Sequence, residues 1–348
     1  IFSPNQNRSE FEDSDLDNWG LTFEWSAALS DKIDLRTRYT ASTFRLKESR
    51  REPRNSNGVT NGEYVENEIE DKRVDLSVQV ELDQKTDLNV GYELSNHGVT
   101  FDDQIRGDNP QEIDRRNGNG DINSLYLSVK RQFGDHLIVD AGLRSNHFSV
   151  GDQSFLAPKL FVSYVVSRSF FLKGSATGAY QYVRQNFAND FDDFRIENQF
   201  WTLADENIPV LRGKQYMFGG LLDHGSWLFD VELYQKDVKN VIRPGDNLDP
   251  DEMVNITGDL AVRGIDLLVK KRWEGFESWI SYSLSHAEET FRVAQQGPNR
   301  LVTRDAFYDQ KHVMNLKIIA PVNRWNLAMS WSLMSGVPVY EADADAIL

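Results

Sequence analysis

Two stretches of this 348-residue chain carry side chains whose types and spacing could bind a ligand. The first places Asp246, Asn247, Asp249 and Asp251 close together. Calcium takes oxygen ligands of these kinds, although the 12-residue loop pattern with a central Gly and a final Glu is missing. The sequence therefore leaves two interpretations of this stretch: a calcium site, or an acidic loop that is simply solvated.

The second stretch, residues 183–213, sets aromatic side chains among arginines in an otherwise polar segment. Aromatic residues on a long exposed loop form either a small packed lid or a binding surface. Both interpretations stay open. If the loop binds a ligand, we expect the contacts to come from Arg184, Phe187, Phe191, Arg195, Phe200 and Trp201.

Catalytic patterns are missing from the sequence. It contains no His-Glu-x-x-His, no Gly-x-Ser-x-Gly, no glycine-rich phosphate loop and no dinucleotide fingerprint. The absence of cysteine removes thiol nucleophiles and Cys-ligated metals, and the six histidines are scattered along the chain. We predict that the protein is not an enzyme and that it requires no cofactor, with calcium as the one candidate ion.

The overall composition excludes two further classes of protein. A content of 40% hydrophobic and 11% aromatic residues is too apolar for a disordered chain. The formal net charge of −16 argues against a nucleic-acid partner, because such proteins need a basic surface to displace counterions.

The elements that must position these residues are β-strands, because apolar residues recur at every second position. Trp19, Leu21, Phe23 and Trp25 alternate with polar or small residues, and similar runs recur along the chain. The longest predicted strands cover residues 33–44, 72–82, 86–95, 122–133 and 325–335. A strand of about ten residues, tilted as in a barrel, matches the height of the apolar band in an outer-membrane barrel.

The predicted connections alternate between short and long. Tight turns are expected at residues 30–32, 83–85, 134–136, 167–169, 223–226, 272–275 and 321–323. Polar loops are expected at residues 47–70, 96–120, 150–156, 183–213, 243–253 and 287–308. Short periplasmic turns and long extracellular loops are typical of bacterial outer-membrane barrels. The pattern predicts about 14 antiparallel strands in seven hairpins.

Large aromatic residues accompany the tight turns, which places them at one end of the predicted barrel. They are Trp25, Phe133, Phe170, Trp227, Trp273 and Trp325. Such residues favour the headgroup level of a bilayer, where one side of the ring is apolar and the other is hydrated. The predicted fold class is therefore an all-β, antiparallel transmembrane β-barrel segment.

Several segments add a family resemblance to this pattern. APKLFVSY at 157–164, QYMFGG at 215–220 and FDVELYQKDVKNVI at 229–242 are similar to successive hairpins of TonB-dependent outer-membrane receptors. RGIDLLVKK at 263–271, WISYSLS at 279–285, YDQKHVMNL at 308–316 and WSLMSGVP at 331–338 continue the series. The chain most resembles the branch in which a carboxypeptidase-regulatory-like domain precedes the plug.

The resemblance implies a 22-stranded barrel with a plug inside and energised import of a scarce nutrient such as a ferric siderophore, a vitamin, a peptide or a glycan. It implies an outer-membrane location in a Gram-negative bacterium. The implied partners are the bilayer with its lipopolysaccharide, the TonB complex and the imported ligand. The resemblance also allows a surface lipoprotein as a further partner. This sequence departs from the family by lacking a plug, a TonB-binding segment and the first and last strands. We therefore expect residues 1–348 to be an internal barrel segment.

Two other functions stay open at this stage. One is a complete passive channel of 14 strands, and the other is a soluble all-β binding protein. Charged residues such as Asp34, Arg36, Arg38, Arg73, Asp75 and Glu81 are predicted to face the interior of the barrel. These charges suit either a receptor that holds a plug or a channel lined by water.

Overall fold

The fold is an antiparallel sheet of long strands. The computed structural model describes residues 11–51, 61–107, 111–187, 199–244, 255–293 and 300–338. Its strands are β1 (Phe11–Ser30), β2 (Ile33–Arg51), β3 (Asn61–Asp83), β4 (Thr86–Gly107), β5 (Gln111–Phe133), β6 (Leu137–Phe148), β7 (Gln153–Ser167), β8 (Phe170–Gln181), β9 (Val183–Phe187), β10 (Gln199–Leu203), β11 (Leu211–His224), β12 (Trp227–Pro244), β13 (Asn255–Trp273), β14 (Phe276–Val293), β15 (Arg300–Asp305), β16 (His312–Val322) and β17 (Trp325–Met334). One 3-10 turn, Val150–Asp152, precedes β7. Among these residues we find no helix that is both long and apolar enough to span a bilayer.

The strands pair in an up-and-down order. Each strand of the main sheet lies beside its neighbour in sequence, except that β8 pairs with β11 and β14 pairs with both β15 and β16. Strands β9 and β10 form a separate hairpin. All seven predicted tight turns are confirmed, since each falls between two paired strands. In two of them Gly225 and Gly275 have φ values of 63° and 92°, a conformation that favours glycine.

The strands are longer than the sequence predicts. Strands β3, β4 and β5 contain 23, 22 and 23 residues, so much of the segments 47–70 and 96–120 is strand rather than loop. The prediction was wrong there because it followed apolar alternation, which ends where the outward residues become polar. The antiparallel ladder continues beyond that point, because backbone hydrogen bonding does not depend on side-chain polarity.

The two faces of the sheet differ in chemistry. Outward side chains such as Leu76, Leu127, Leu143, Leu233 and Trp331 are large, apolar and exposed. The residues between them are polar and face the opposite, inner side. The β9–β10 hairpin belongs to the connection between β8 and β11 yet packs against β3, β4 and β5, so the sheet must curl around it.

The predicted aromatic residues gather at the short-turn end. Trp25, Phe133, Trp227, Trp273 and Trp325 are all exposed there. Trp227 stacks on Phe229 with ring centroids 5.5 Å apart, and the Lys271 Nζ lies 4.3 Å from the centre of the Trp227 ring. A row of rings beside basic groups suits the boundary between lipid and water.

Candidate functional site

The candidate site is the inner side of the sheet at its long-loop end, where the chain folds back on itself. Strands β9 and β10 pair in register from Val183–Leu203 to Phe187–Gln199. We refer to this pair, residues 183–187 with 199–203, as the loop hairpin. It turns into the concave side of the sheet, so it narrows the opening at this end.

Two glycines on β5 let the loop hairpin approach the wall. A Cβ atom on Gly120 would lie 2.7 Å from Phe148 Cε2 and 3.2 Å from Leu203 Cδ2. A Cβ atom on Gly118 would lie 3.1 Å from the Leu203 Cβ. The absence of both side chains creates the space that Leu203 fills.

Leu203 belongs to a buried apolar cluster that joins the loop hairpin to strands far away in sequence. Its buried members are Val99, Ile122, Phe148, Phe155, Tyr182, Val183, Leu203, Ala204 and Val210. The Tyr182 ring lies 4.8 Å from the Phe148 ring, centroid to centroid, and 6.0 Å from the Phe155 ring. This cluster supplies the hydrophobic stabilisation that holds the loop hairpin inside.

Polar contacts fix the position of the loop hairpin. The Trp201 backbone N–H donates to Asn67 Oδ1 on β3 at 2.8 Å. On the other side, Arg184 donates through Nη1 to the Asn240 carbonyl and through Nη2 to the Pro209 carbonyl, both at 2.7 Å. Asn240 interrupts the β12–β13 register, has a φ of 67°, and donates through Nδ2 to the Val210 carbonyl at 2.8 Å. A bulge of this kind redirects backbone groups out of the ladder.

Arg184 is held in an unusually dry place for a charged group, with 6% of its surface exposed. Burial lowers its pKa from the usual 12.5 to about 10, since the charged form is less well solvated there. The side chain therefore still carries its proton at neutral pH. The charge strengthens both hydrogen bonds, of which one ties β9 to Asn240 on β12 and the other ties β9 to Pro209 in the connection between β10 and β11.

Below the loop hairpin the inner wall is lined by polar contacts and ion pairs that join adjacent strands or strands one further apart. Arg38 Nη2 lies 2.6 Å from Glu24 Oε2, and Arg144 Nη2 lies 2.6 Å from Glu93 Oε1. Tyr126 donates to Asp75 Oδ2 at 2.8 Å. Arg36 Nε also lies 3.7 Å from Glu24 Oε1, and Arg73 Nε lies 3.9 Å from Glu93 Oε1. These contacts confirm that Arg36, Arg38, Arg73 and Asp75 share one face, as predicted. Another such cluster joins Lys173 to Asp230 and Glu232.

At the level of the loop hairpin, His97 Nδ1 lies 2.9 Å from Asp71 Oδ1. The contact with His97 lowers the pKa of Asp71 below its usual value, against the opposing effect of partial burial. The residues that point outward at this level, Glu70 and Lys72, form an ion pair of 2.9 Å. Because both faces are charged here, we place this part of β3 above the apolar band.

The structure describes only some of the predicted ligand-contacting residues. Arg184 is buried and donates to the chain's own carbonyls, while Trp201 is partly buried against the apolar cluster. The indole Nε1 of Trp201 is buried and has no hydrogen-bond partner among the described residues. Phe187 and Phe200 lie in β9 and β10, but their side chains are outside what is described, as are Phe191 and Arg195.

The proposed calcium ligands Asp246, Asn247, Asp249 and Asp251 also lie outside the described residues. The calcium hypothesis stays a prediction.

Sequence reasoning missed the residues that receive the loop hairpin. Asn67, His97, Gly118 and Gly120 fell in segments predicted as loops. The signal that could have found them is weak. Ile69 and Val99 fall at the inward positions of β3 and β4, but charged or polar residues separate each of them from the apolar alternation of its strand.

A separate groove lies on the outward side of β11 to β14. It encloses about 760 Å³, and the outward residues that line it include Tyr216, Phe218, Leu233, Ile265 and Leu284. Because these residues point away from the interior, we do not include this groove in the candidate site.

Comparison with known proteins agrees with this architecture. The family model described as "TonB dependent receptor-like, beta-barrel" matches residues 2–346. The sequence has no match among curated proteins.

Solved structures share the fold at low sequence identity. The ferric yersiniabactin uptake receptor FyuA from Yersinia pestis aligns with a TM-score of 0.63 and 11% identity, over 95% of this chain and 51% of that one. The RagAB peptide transporter aligns with a TM-score of 0.62 and 9% identity, over 95% and 50%. BauA, the ferric preacinetobactin receptor from Acinetobacter baumannii, aligns with a TM-score of 0.61 and 13% identity, over 93% and 52%. The chain thus spans about half the length of these proteins.

Proposed function

Because this chain belongs to the TonB-dependent receptor-like β-barrel family, we propose that it forms about half of an outer-membrane receptor that imports a scarce nutrient. In this proposal the outward face contacts the lipid and lipopolysaccharide of a Gram-negative outer membrane. A plug supplied by another part of the receptor packs against the inner wall, and the TonB complex supplies energy.

The observation that carries the proposal is that one face of the sheet is apolar and the other is charged. Outward residues such as Leu76, Leu127 and Leu233 form an apolar surface that water would disfavour. The inner wall carries ion pairs such as Arg38–Glu24 and Arg144–Glu93, each between side chains that are partly exposed. Partly exposed pairs can exchange partners at small energetic cost, which suits a wall that holds a movable plug.

Fractionation tests the membrane part of the proposal. We expect the full reading frame that contains this chain to sediment with outer membranes and to need detergent for extraction. A soluble all-β binding protein would instead appear in the supernatant without detergent.

Conductance separates a plugged receptor from a passive channel. Reconstituted in a planar bilayer, the full-length receptor should show no steady open pore, whereas a passive 14-stranded channel would conduct ions continuously. The matched control is the same protein after mild urea treatment, which should loosen the plug and raise the conductance.

Uptake measurements test energisation and substrate class. We suggest a panel of labelled ferric siderophores and oligopeptides, because the solved structures of this fold include receptors of the first kind and a transporter of the second. Uptake of one panel member should depend on both the receptor and an intact TonB gene. Uptake that persists without TonB would contradict the proposal.

We further propose that Trp201 contacts the ligand; the proposal is supported by its buried indole N–H, which lacks a partner within the described part of the chain. Replacement of Trp201 by Phe keeps an apolar ring but removes the donor. If the donor binds ligand, this variant should bind more weakly while its barrel assembles normally. Equal affinity in both proteins would limit Trp201 to packing.

A further inference from the structure

We infer that the outward side of β14 and β15 carries a binding site for a divalent transition metal ion, formed by His286, Glu288 and Asp305. One ligand atom from each of these residues lies within 4.8 Å of the others. The site lies just above the apolar band, since Leu284, two residues before His286, is an outward and exposed apolar residue. It is separate from the inner wall and does not depend on the transported nutrient.

A buried carboxylate sets the orientation of the His286 ring. Its Nδ1 lies 3.2 Å from Asp309 Oδ2, and the Asp309 side chain is only 1% exposed. The other carboxylate oxygen of Asp309 accepts from the Ala287 N–H at 3.0 Å. Because a carboxylate only accepts, Nδ1 carries the proton in the neutral ring and Nε2 presents its lone pair. Metal-binding histidines are typically oriented by a carboxylate in this way.

The other ring nitrogen of His286, Nε2, faces two further carboxylate oxygens. It lies 3.5 Å from Glu288 Oε1 and 3.8 Å from Asp305 Oδ1. Bonds of about 2.1 Å to a tetrahedral zinc ion would place neighbouring ligand atoms about 3.4 Å apart. The two distances from Nε2 are close to this value, and the two carboxylate oxygens lie within 4.8 Å of each other.

The strand register brings the two carboxylates of the site together. Glu288 and Asp305 are direct partners in the β14–β15 ladder, so their side chains share one face. Like charges at directly opposed positions destabilise a sheet. Lys311 offsets part of this repulsion, since its Nζ lies 2.9 Å from Asp305 Oδ2, while Asp305 Oδ1 is the oxygen on the side of His286.

The donor set identifies the class of ion. Calcium and magnesium prefer oxygen ligands alone, whereas an imidazole combined with carboxylates suits zinc and related ions. Three protein ligands leave at least one coordination position for water. We therefore assign the site to Zn²⁺, with Co²⁺ as its spectroscopic probe.

The test uses the full-length receptor without a histidine tag, purified in detergent and stripped of metal with a chelator. Titration calorimetry should show saturable binding of one Zn²⁺ per chain by wild type beyond any binding retained by His286→Asn. Co²⁺ should give the visible absorption of a tetrahedral complex in wild type only. His312→Asn is the matched control, because His312 lies on the same outward face but pairs with Tyr282 at 2.8 Å.

Two further variants keep the result interpretable. Glu288→Gln preserves size and should also abolish the one-to-one binding, which covers the case in which His286→Asn fails to assemble. Asp309→Asn leaves all three ligands in place and should weaken Zn²⁺ affinity roughly 10- to 100-fold, as expected for a residue that positions a ligand. The inference fails if wild type shows no saturable Zn²⁺ binding, or if His286→Asn and Glu288→Gln bind as tightly as wild type.

Discussion

At the scale of single residues, the main result is that Arg184 connects the loop hairpin to the barrel wall. It was predicted as a ligand contact, and that role stays untested. In the structure its guanidinium donates to the carbonyls of Asn240 and Pro209. Because loss of a buried, hydrogen-bonded charge leaves its acceptors unsatisfied, Arg184 stabilises the local fold whether or not it also contacts a ligand.

Replacement of Arg184 by Met should release the loop hairpin. Hydrogen bonds from charged groups contribute about 1.5–3 kcal/mol each, so we expect local stability to fall by about 2–4 kcal/mol after the gain from avoiding a buried charge. Hydrogen exchange of the β9 and β10 amides measures this effect. Arg168→Met, in the exposed turn between β7 and β8, is the control. Unchanged exchange in the Arg184 variant would contradict the assignment.

The Asp71–His97 contact predicts a dependence of stability on acid pH. The pKa of Asp71 is lowered in the folded state, so its stabilising effect is fully present above the usual carboxyl pKa of about 4 and is lost as the pH falls through the lowered value. Asp71→Asn should therefore lower the unfolding temperature at pH 6 and have less effect at pH 2.5. Thermal unfolding of both proteins across this range tests the prediction. An equal difference at both pH values would contradict it.

At the scale of elements, the loop hairpin packs closely against strand β5 because two residues of β5 are glycines, which have no side chain. Gly118 and Gly120 face Leu203, and Phe148 lies against Gly120. These four residues come from three separate parts of the sequence. The fit therefore depends on the register of β4, β5 and β6 as much as on the residues themselves.

Gly120→Ala should displace the loop hairpin, because its new Cβ would lie 2.7 Å from Phe148 Cε2. Overpacking of this kind costs about 1–3 kcal/mol. Protease sensitivity of the connection between β8 and β11 should rise. The control is Gly213→Ala on β11, where the nearest atom to a new Cβ is 3.9 Å away. Equal sensitivity of the two variants would show that the space around Gly120 is not needed.

At the scale of the whole molecule, the sheet separates an apolar outer surface from a charged inner one over more than a dozen strands. The outward residues of strand β5 are apolar along its lower part and polar above it. Leu127 is outward and 48% exposed within the apolar band, while Asn117 is outward and exposed above it. A bilayer around the lower part of the strand would make the two positions differ sharply in their tolerance of charge.

Leu127→Arg should destabilise the full-length protein in lipid vesicles by about 2–4 kcal/mol, the cost of a cation on the lipid face near the bilayer midplane. Asn117→Arg on the same strand should cost about 0–1 kcal/mol, because that position lies above the lipid. Denaturant unfolding from vesicles measures both values. Similar values for the two variants would contradict a bilayer around the outer face.

The amino-acid sequence by itself determined the seven short turns and the inward or outward direction of the strand residues. The alternation of apolar and polar residues is a local property, because neighbouring side chains of a strand must point to opposite faces. The turns are likewise local, because their own residues determine them. The family resemblance followed from the same hairpins.

Only the tertiary structure decided how far the strands extend and where the loop hairpin lies. The backbone ladder continues past the apolar alternation that marks it in the sequence, so residues 96–107 of β4 gave no strand signal. The contact between Asn67 and Trp201 joins positions 134 residues apart, and the cluster of His286 with Asp305 and Asp309 joins β14 to the connection that follows it. Contacts of this kind depend on strand pairing and sheet curvature, which no local pattern of residues encodes.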